Sequence, residues 1–228
     1  VGDARRRPDE FALPSVLRAT TAVPSPWSLA FAPRTGQIWF TVHGEGLVGR
    51  LPSGAQPTRR GFVVEELALG PGTRPDGIAV DAAGAVWVAG SARDVLVRID
   101  PADGSMRRIP LPAGSHPRGL AADGERGVWA ALAGAGSVAR VGAAGAVTTW
   151  RLPTGGRAFP VAVAGDGAGG AWIADYGADA IVRWHARARR FATFALPRPG
   201  TRVHAIAVDG RGRLWYVGAF GGVLGVVE

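Results

Sequence analysis

The chain has 228 residues, 47% of them apolar, and a formal charge of +8 at neutral pH. That length suits one sizeable β domain. The absence of Cys excludes disulfides, a thiolate metal site and a thiol nucleophile, and no apolar run reaches the ~20 residues that a membrane helix needs. All 26 basic residues are Arg, and Lys and Asn, both encoded by A-rich codons, are absent. The positive charges are scattered, apart from Arg5-Arg6-Arg7, Arg59-Arg60 and the group Arg187, Arg189 and Arg190. The basic balance therefore reads as genome composition and argues against a nucleic-acid partner.

Taken in chain order, residues 1–9 (VGDARRRPD) are a polar lead-in, and residues 10–228 are expected to form one domain. The first residue is Val, for which a removed upstream piece such as a signal peptide is the natural explanation, so a periplasmic or secreted location is the expectation. Residues 10–14 (EFALP) read as a short strand and 15–23 as a connector. A repeat then begins. Trp marks it at Trp39, Trp87, Trp129, Trp172 and Trp215, at spacings of 48, 42, 43 and 43. A Pro stands 13 residues and then 12 residues upstream, at Pro26, Pro75, Pro117 and Pro160, with Val203 in the last copy. Eleven residues downstream stand Arg50, Arg98, Arg140 and Arg183, then Val226. The first copy carries an insertion over 52–60 (PSGAQPTRR).

Each copy reads as four strands. In the second, residues 77–81 (GIAVD) form an apolar run without polar alternation, as for a strand buried on both faces. A turn at 81–84 (DAAG) leads to the Trp strand, 86–89 (VWVA), then to 95–99 (VLVRI) and to 108–112 (RIPLP). Later copies repeat the Leu-Pro ending at 149–153 (TWRLP) and 193–197 (TFALP), where Pro suits the outer edge of a sheet. A period near 43 with four strands per copy predicts an all-β fold, a β-propeller of four-stranded antiparallel blades, five in number, with the Trp filling the wedge between neighbouring sheets. The recurrent Arg falls on the third strand, far from the axis, where its stem covers apolar surface.

The fifth copy has only three strands, 204–209, 214–218 and 223–227. Residues 11–14 (FALP) repeat residues 194–197 letter for letter. The N-terminal strand is therefore expected to complete the last blade and close the ring.

The residue after each marker Pro lies at the entrance of an inner strand, where propellers bind ligands. Here those residues are Trp27, Asp76, Arg118, Val161 and His204. His43 and the pair Asp175-Tyr176 follow Trp strands near the same rim. An aromatic, a cation, an imidazole and acids around one mouth suit a small polar or peptide-like ligand; Asp76 and Arg118 can equally pair with each other. His116 and His185 read as structural or solvated. There is no phosphate-binding Gly loop and no Gly-x-Ser-x-Gly elbow.

The phrases 75–78 (PDGI), 38–41 (IWFT), 48–51 (VGRL) and 196–197 (LP), taken together, resemble the streptogramin lyase family, with propellers of the NHL and gluconolactonase type as relatives. The resemblance covers roughly residues 10–228. It implies a carbon–oxygen lyase that opens a cyclic depsipeptide by elimination: a base takes the proton beside the ester carbonyl and Mg2+ steadies the enolate. The characterised lyases look like seven-bladed rings. His204, in 203–206 (VHAI), corresponds to the family's acid/base, and Asp175 to a metal-binding glutamate. The resemblance also departs from the family: Arg202 stands where a Glu is expected, and the other Trp-x-x-Glu positions hold Val42, Gly90, Leu132 and Gly218. Mg2+ is the only cofactor that the resemblance implies. The alternative is a non-catalytic propeller that binds a ligand or a protein, with a monomer as the default state.

Overall fold

The computed structural model describes residues 25–56 and 63–228 of the chain. Five antiparallel sheets are present among them, each ordered as in the chain. Blade 1 comprises β1 (Pro26–Ala32), β2 (Gln37–Val42), β3 (Leu47–Leu51) and β4 (Glu65–Ala68). Blade 2 is β5 (Pro75–Val80), β6 (Val86–Gly90), β7 (Val95–Ile99) and β8 (Met106–Pro110). Blade 3 is β9 (Pro117–Ala122), β10 (Val128–Leu132), β11 (Ser137–Val141) and β12 (Val147–Arg151). Blade 4 is β13 (Pro160–Gly165), β14 (Ala171–Asp175), β15 (Ala180–His185) and β16 (Arg190–Ala195). Blade 5 is β17 (Val203–Val208), β18 (Leu214–Gly218) and β19 (Leu224–Val227). This is the propeller expected from the repeat. The closing strand expected at 11–14, the lead-in and residues 57–60 of the insertion lie outside the described residues.

The inner strands pack in sequence, β1 on β5, β5 on β9, β9 on β13 and β13 on β17. Each of the first four marker Trp residues fills the wedge to the following blade. Trp39 packs with Ile78, Val86 and Val97, Trp87 with Val128 and Ala130, Trp129 with Val163 and Ile173, and Trp172 with Val203 and Leu214. All four are essentially buried, and truncating such a side chain to Ala typically costs about 3–5 kcal/mol. Trp215, at the end of the series, is only half-buried.

The turns are built by an Asp six residues before the Trp. Asp81 Oδ1 accepts from the N–H groups of Ala83 and Ala85. Asp123, Asp166 and Asp209 repeat the arrangement with their own turns. The other oxygen is contested between the Trp and the marker Arg. Asp81 Oδ2 takes the Trp87 N–H at 2.9 Å, and Arg98 Nε is left unpartnered. Asp123 Oδ2 takes Arg140 at 2.9 Å, and Trp129 Nε1 is left unpartnered. Asp209 Oδ2 serves both Arg213 and Trp215. In blade 1 Pro33 replaces the Asp, and Gln37 accepts the Trp39 N–H instead.

The marker Arg lies across the Trp face: Arg50, Arg98 and Arg183 stand 5.3, 5.9 and 4.6 Å from the ring centroids of Trp39, Trp87 and Trp172. The Leu-Pro endings lie just beyond the fourth strands, because Pro has no N–H to continue a ladder. The Leu still donates one more bond, Leu111 to Asp94 and Leu152 to Gly136, as does Leu69 to Gly46 in blade 1, where Gly70 stands in place of the Pro. Those acceptors stand seven residues after the Trp, and all three have left-handed backbone.

Candidate functional site

The five inner strands deliver the residues after their marker positions to one place. Trp27 from β1, Asp76 from β5, Arg118 from β9, Val161 from β13 and His204 from β17 all line a single cavity of about 810 Å³. Phe159 and Tyr176 complete its wall. The strands can converge because the next position is small in every copy: Ser28, Gly77, Gly119, Ala162 and Ala205.

Asp76 organises one side of this mouth. Its Oδ1 accepts the Trp27 indole N–H at 2.8 Å, and its Oδ2 accepts Arg118 Nε at 3.2 Å. The Asp76 carbonyl takes the hydroxyl of the buried Thr41. Trp27, 55% exposed, is thus oriented while its face stays open. His43 stacks on it, with ring centroids 5.5 Å apart. Burial holds the His43 imidazole below its ordinary value of 6.5, helped by Arg74 and Arg118 and opposed by Asp76. His43 lines an adjoining cavity of about 470 Å³ that shares Trp27, Asp76, Arg118 and Phe159 with the first.

On the opposite side, Arg202 lies 5.5 Å from the centroid of the Tyr176 ring. It donates to the carbonyls of Tyr176 and Gly177 at 2.9 Å. Its guanidinium pins the loop that presents Tyr176. His204 is exposed on the cavity wall.

The sequence profile of the virginiamycin B lyase family matches residues 15–228. The chain belongs to that family. Among solved structures, virginiamycin B lyase from Staphylococcus aureus aligns at 23% identity and a TM-score of 0.78, over 92% of this chain and 66% of that one. A streptogramin B lyase aligns at 22% identity and a TM-score of 0.79, over 92% and 65%. This chain thus spans slightly less than two thirds of either. A catalytically inactive virginiamycin B lyase from Staphylococcus aureus, with quinupristin, aligns at 21% identity and a TM-score of 0.77, over 91% and 71%. At these identities the likeness is one of fold. No curated protein sequence matches the chain.

The family's metal chemistry can be tested against the side chains. Asp175, fully buried, lies outside the cavity wall. Its Oδ2 accepts the Thr154 hydroxyl, and its Oδ1 accepts the N–H groups of Phe159 and Ala178 at 2.8 and 3.2 Å. Both oxygens are thus turned toward donors that tie the 154–159 loop to β14. No group of three or more His, Asp or Glu side chains is placed to hold a metal among the described residues. Mg2+ takes an octahedron of oxygens with one or two carboxylates. Asp76 is engaged by Arg118, Asp175 by its loop, and Arg202 brings a cation to the same rim. The described residues do not fit a magnesium ion.

Sequence reasoning missed part of the wall. The residues just before the marker positions, Arg74, His116 and Phe159, line the adjoining cavity. Arg74, His116 and Arg202 have φ of 48°, 42° and 52°, a conformation that turns the chain sharply into the inner strand. The signal was available in the repeat phase: the position before the marker is large or polar in copies two to five.

Proposed function

We propose that this member of the virginiamycin B lyase family binds a small peptide-like ligand at the mouth of the propeller. Trp27, Phe159 and Tyr176 offer aromatic faces to its apolar groups, and Arg118 and His204 meet its polar ones. The observation that carries the reading is convergence: all five residues that follow the markers line one cavity, of a volume usual for small-molecule sites. Quinupristin, named with a related lyase, is the natural first probe. Calorimetric titration of the protein in chelator-treated buffer is expected to show saturable binding. Trp27→Ala should weaken it by about tenfold or more, the loss of a central aromatic anchor. No binding by the unaltered protein would overturn the reading.

A second reading is elimination, and the exposure of His204 on the cavity wall favours it. An imidazole there can take a proton from a carbon beside an ester carbonyl. A linear product of unchanged mass from the cyclic depsipeptide, lost in His204→Ala, would establish it. Binding without that product supports the binding reading alone.

A further inference from the structure

The residues just before the marker positions are not used alike. Arg74 and Arg202 share that phase, and both have left-handed backbone. Arg202 is spent: its guanidinium donates to the carbonyls of Tyr176 and Gly177 and lies over the Tyr176 ring. The Arg74 guanidinium lines the adjoining cavity of about 470 Å³ and has no hydrogen-bond or ion-pair partner among the described residues. Its backbone, by contrast, is firmly held. The Arg74 carbonyl accepts both the N–H and the hydroxyl of Ser91, at 3.1 and 2.9 Å. The matching carbonyls of His116 and Arg202 receive a backbone N–H alone, from Ala133 and Ala219. A residue other than Gly keeps such a backbone only where its surroundings impose it. The fold thus fixes where the Arg74 side chain departs and leaves its charge unanswered.

The rest of that wall does not answer it either. Among the described lining residues Asp76 is the one carboxylate, beside two guanidiniums, Arg74 and Arg118. Both Asp76 oxygens are already engaged, by the Trp27 indole N–H and by Arg118 Nε. That bond uses Nε alone, so the two terminal nitrogens of Arg118 still carry donors. The carboxylate of Asp94 is spent on the turn that presents His116, accepting the N–H groups of Gly114 and His116 at 2.7 Å. Both guanidiniums are felt at His43: burial lowers its imidazole most, Arg74 adds to that, Asp76 opposes it and Arg118 adds again. The two cations therefore act on one space. Trp27 and Phe159 border this space and the main cavity alike.

We infer that the adjoining cavity is a carboxylate subsite, in which Arg74 and the terminal nitrogens of Arg118 receive the free carboxylate of a ligand whose apolar body lies between Trp27 and Phe159. Guanidinium suits this task because its planar fork matches the two oxygens of a carboxylate, and such charge-assisted bonds are the strong ones. Asp76 holds Arg118 in place through Nε and does not compete for its outer nitrogens. The inference rests on the mouth as a ligand site and names the ligand class: an acyl amino acid or short peptide with a free carboxylate.

The test compares two probes that differ only in charge, N-acetyl-L-phenylalanine and its carboxamide, by calorimetric titration of the full chain. The carboxylate is expected to bind about tenfold or more tightly than the amide. R74Q should remove that preference while leaving the affinity for the amide unchanged, and R74G, which suits the left-handed backbone, repeats the test where R74Q does not fold. R107Q is the control: Arg107 lies on the outer strand β8 and donates to the Ala144 carbonyl, so its loss should leave the preference intact. Equal affinities for the two probes in the unaltered protein, or a preference that survives in both Arg74 variants, would overturn the inference. Acetate binding as tightly as the aromatic carboxylate would overturn it in favour of a site for free small anions. Failure of both probes to bind would overturn it too, and quinupristin binding alongside that failure would leave the reading of the mouth standing.

Discussion

Asp81, Asp123, Asp166 and Asp209 stand six residues before a marker Trp, and each holds a turn with one oxygen while the other serves the Trp or the Arg strand. Two of them titrate below the ordinary 3.8. For Asp209 the Trp215 N–H is the leading cause; burial opposes it, and Arg211 and Arg213 add to it. For Asp166 burial pushes upward but is outweighed by the N–H groups of Ala168 and Gly170 and by Arg183. A carboxyl whose folded-state pKa lies below its unfolded value stabilises the fold fully above 3.8, and that stability is lost as pH falls below it. The melting temperature should therefore drop as pH is lowered from about 5 to about 3, and less steeply in D166N/D209N. An unchanged slope in the double variant would count against these turns as the acid-sensitive elements. The turns were legible as Asp- and Gly-rich punctuation. The partner of the second carboxylate oxygen was not, because it changes from blade to blade: the Trp six residues on for Asp81 and Asp209, the Arg of the third strand for Asp123 and Asp166.

At the scale of elements, what matters is how closely the inner strands approach. A Cβ built on Gly77 would lie 2.2 Å from the Arg118 carbonyl oxygen, and one on Gly119 would lie 2.7 Å from the Ala162 Cα and the Val161 oxygen. These are backbone atoms, which cannot swing aside. Gly119→Ala is expected to destabilise by about 1–3 kcal/mol, the usual cost of overpacking, and to weaken any mouth ligand by pushing β9 from β13. Gly142, with nothing within 4 Å of its Cβ position, is the control, and Gly142→Ala should stay within about 0.5 kcal/mol. Denaturant melts of the two variants check this; equal stabilities would refute the close-approach argument. The mouth residues were readable at this scale because they share one phase of the repeat. Part of the adjoining cavity was not, because Arg74 and His116, which precede two of the markers, reach its wall from backbone at positive φ.

Over the whole molecule, stability is graded from the second strand of each blade toward the outer edge. Every residue of β6, β10 and β14 is buried, and each of these strands is paired on both sides. The outer strands β8, β12 and β16 are paired on one side only and mix exposed with partly or fully covered residues. Native-state hydrogen exchange should leave the amides of β6, β10 and β14 protected longest, with the outer strands opening first. Uniform protection across a blade would contradict this grading.

The amino-acid sequence by itself determined the architecture. A Trp held in phase over five copies, with a Pro and an Arg in phase in four of them, demands repeated sheets, since a repeat that cannot bury its own apolar face must stack on the next copy. It also determined which residues meet at the mouth, because equal phase means equal height along a common axis. Only the tertiary structure decided what those residues do with one another. It spent Asp76 on Trp27 and Arg118, turned both oxygens of Asp175 toward the 154–159 loop, and placed Arg202 against Tyr176. The Asp76 pairings join residues 49 and 42 positions apart in the chain, and that of Arg202 with Tyr176 residues 26 apart. A hydrogen bond is settled by distances of a few tenths of an ångström, and repeat spacing carries no information at that scale.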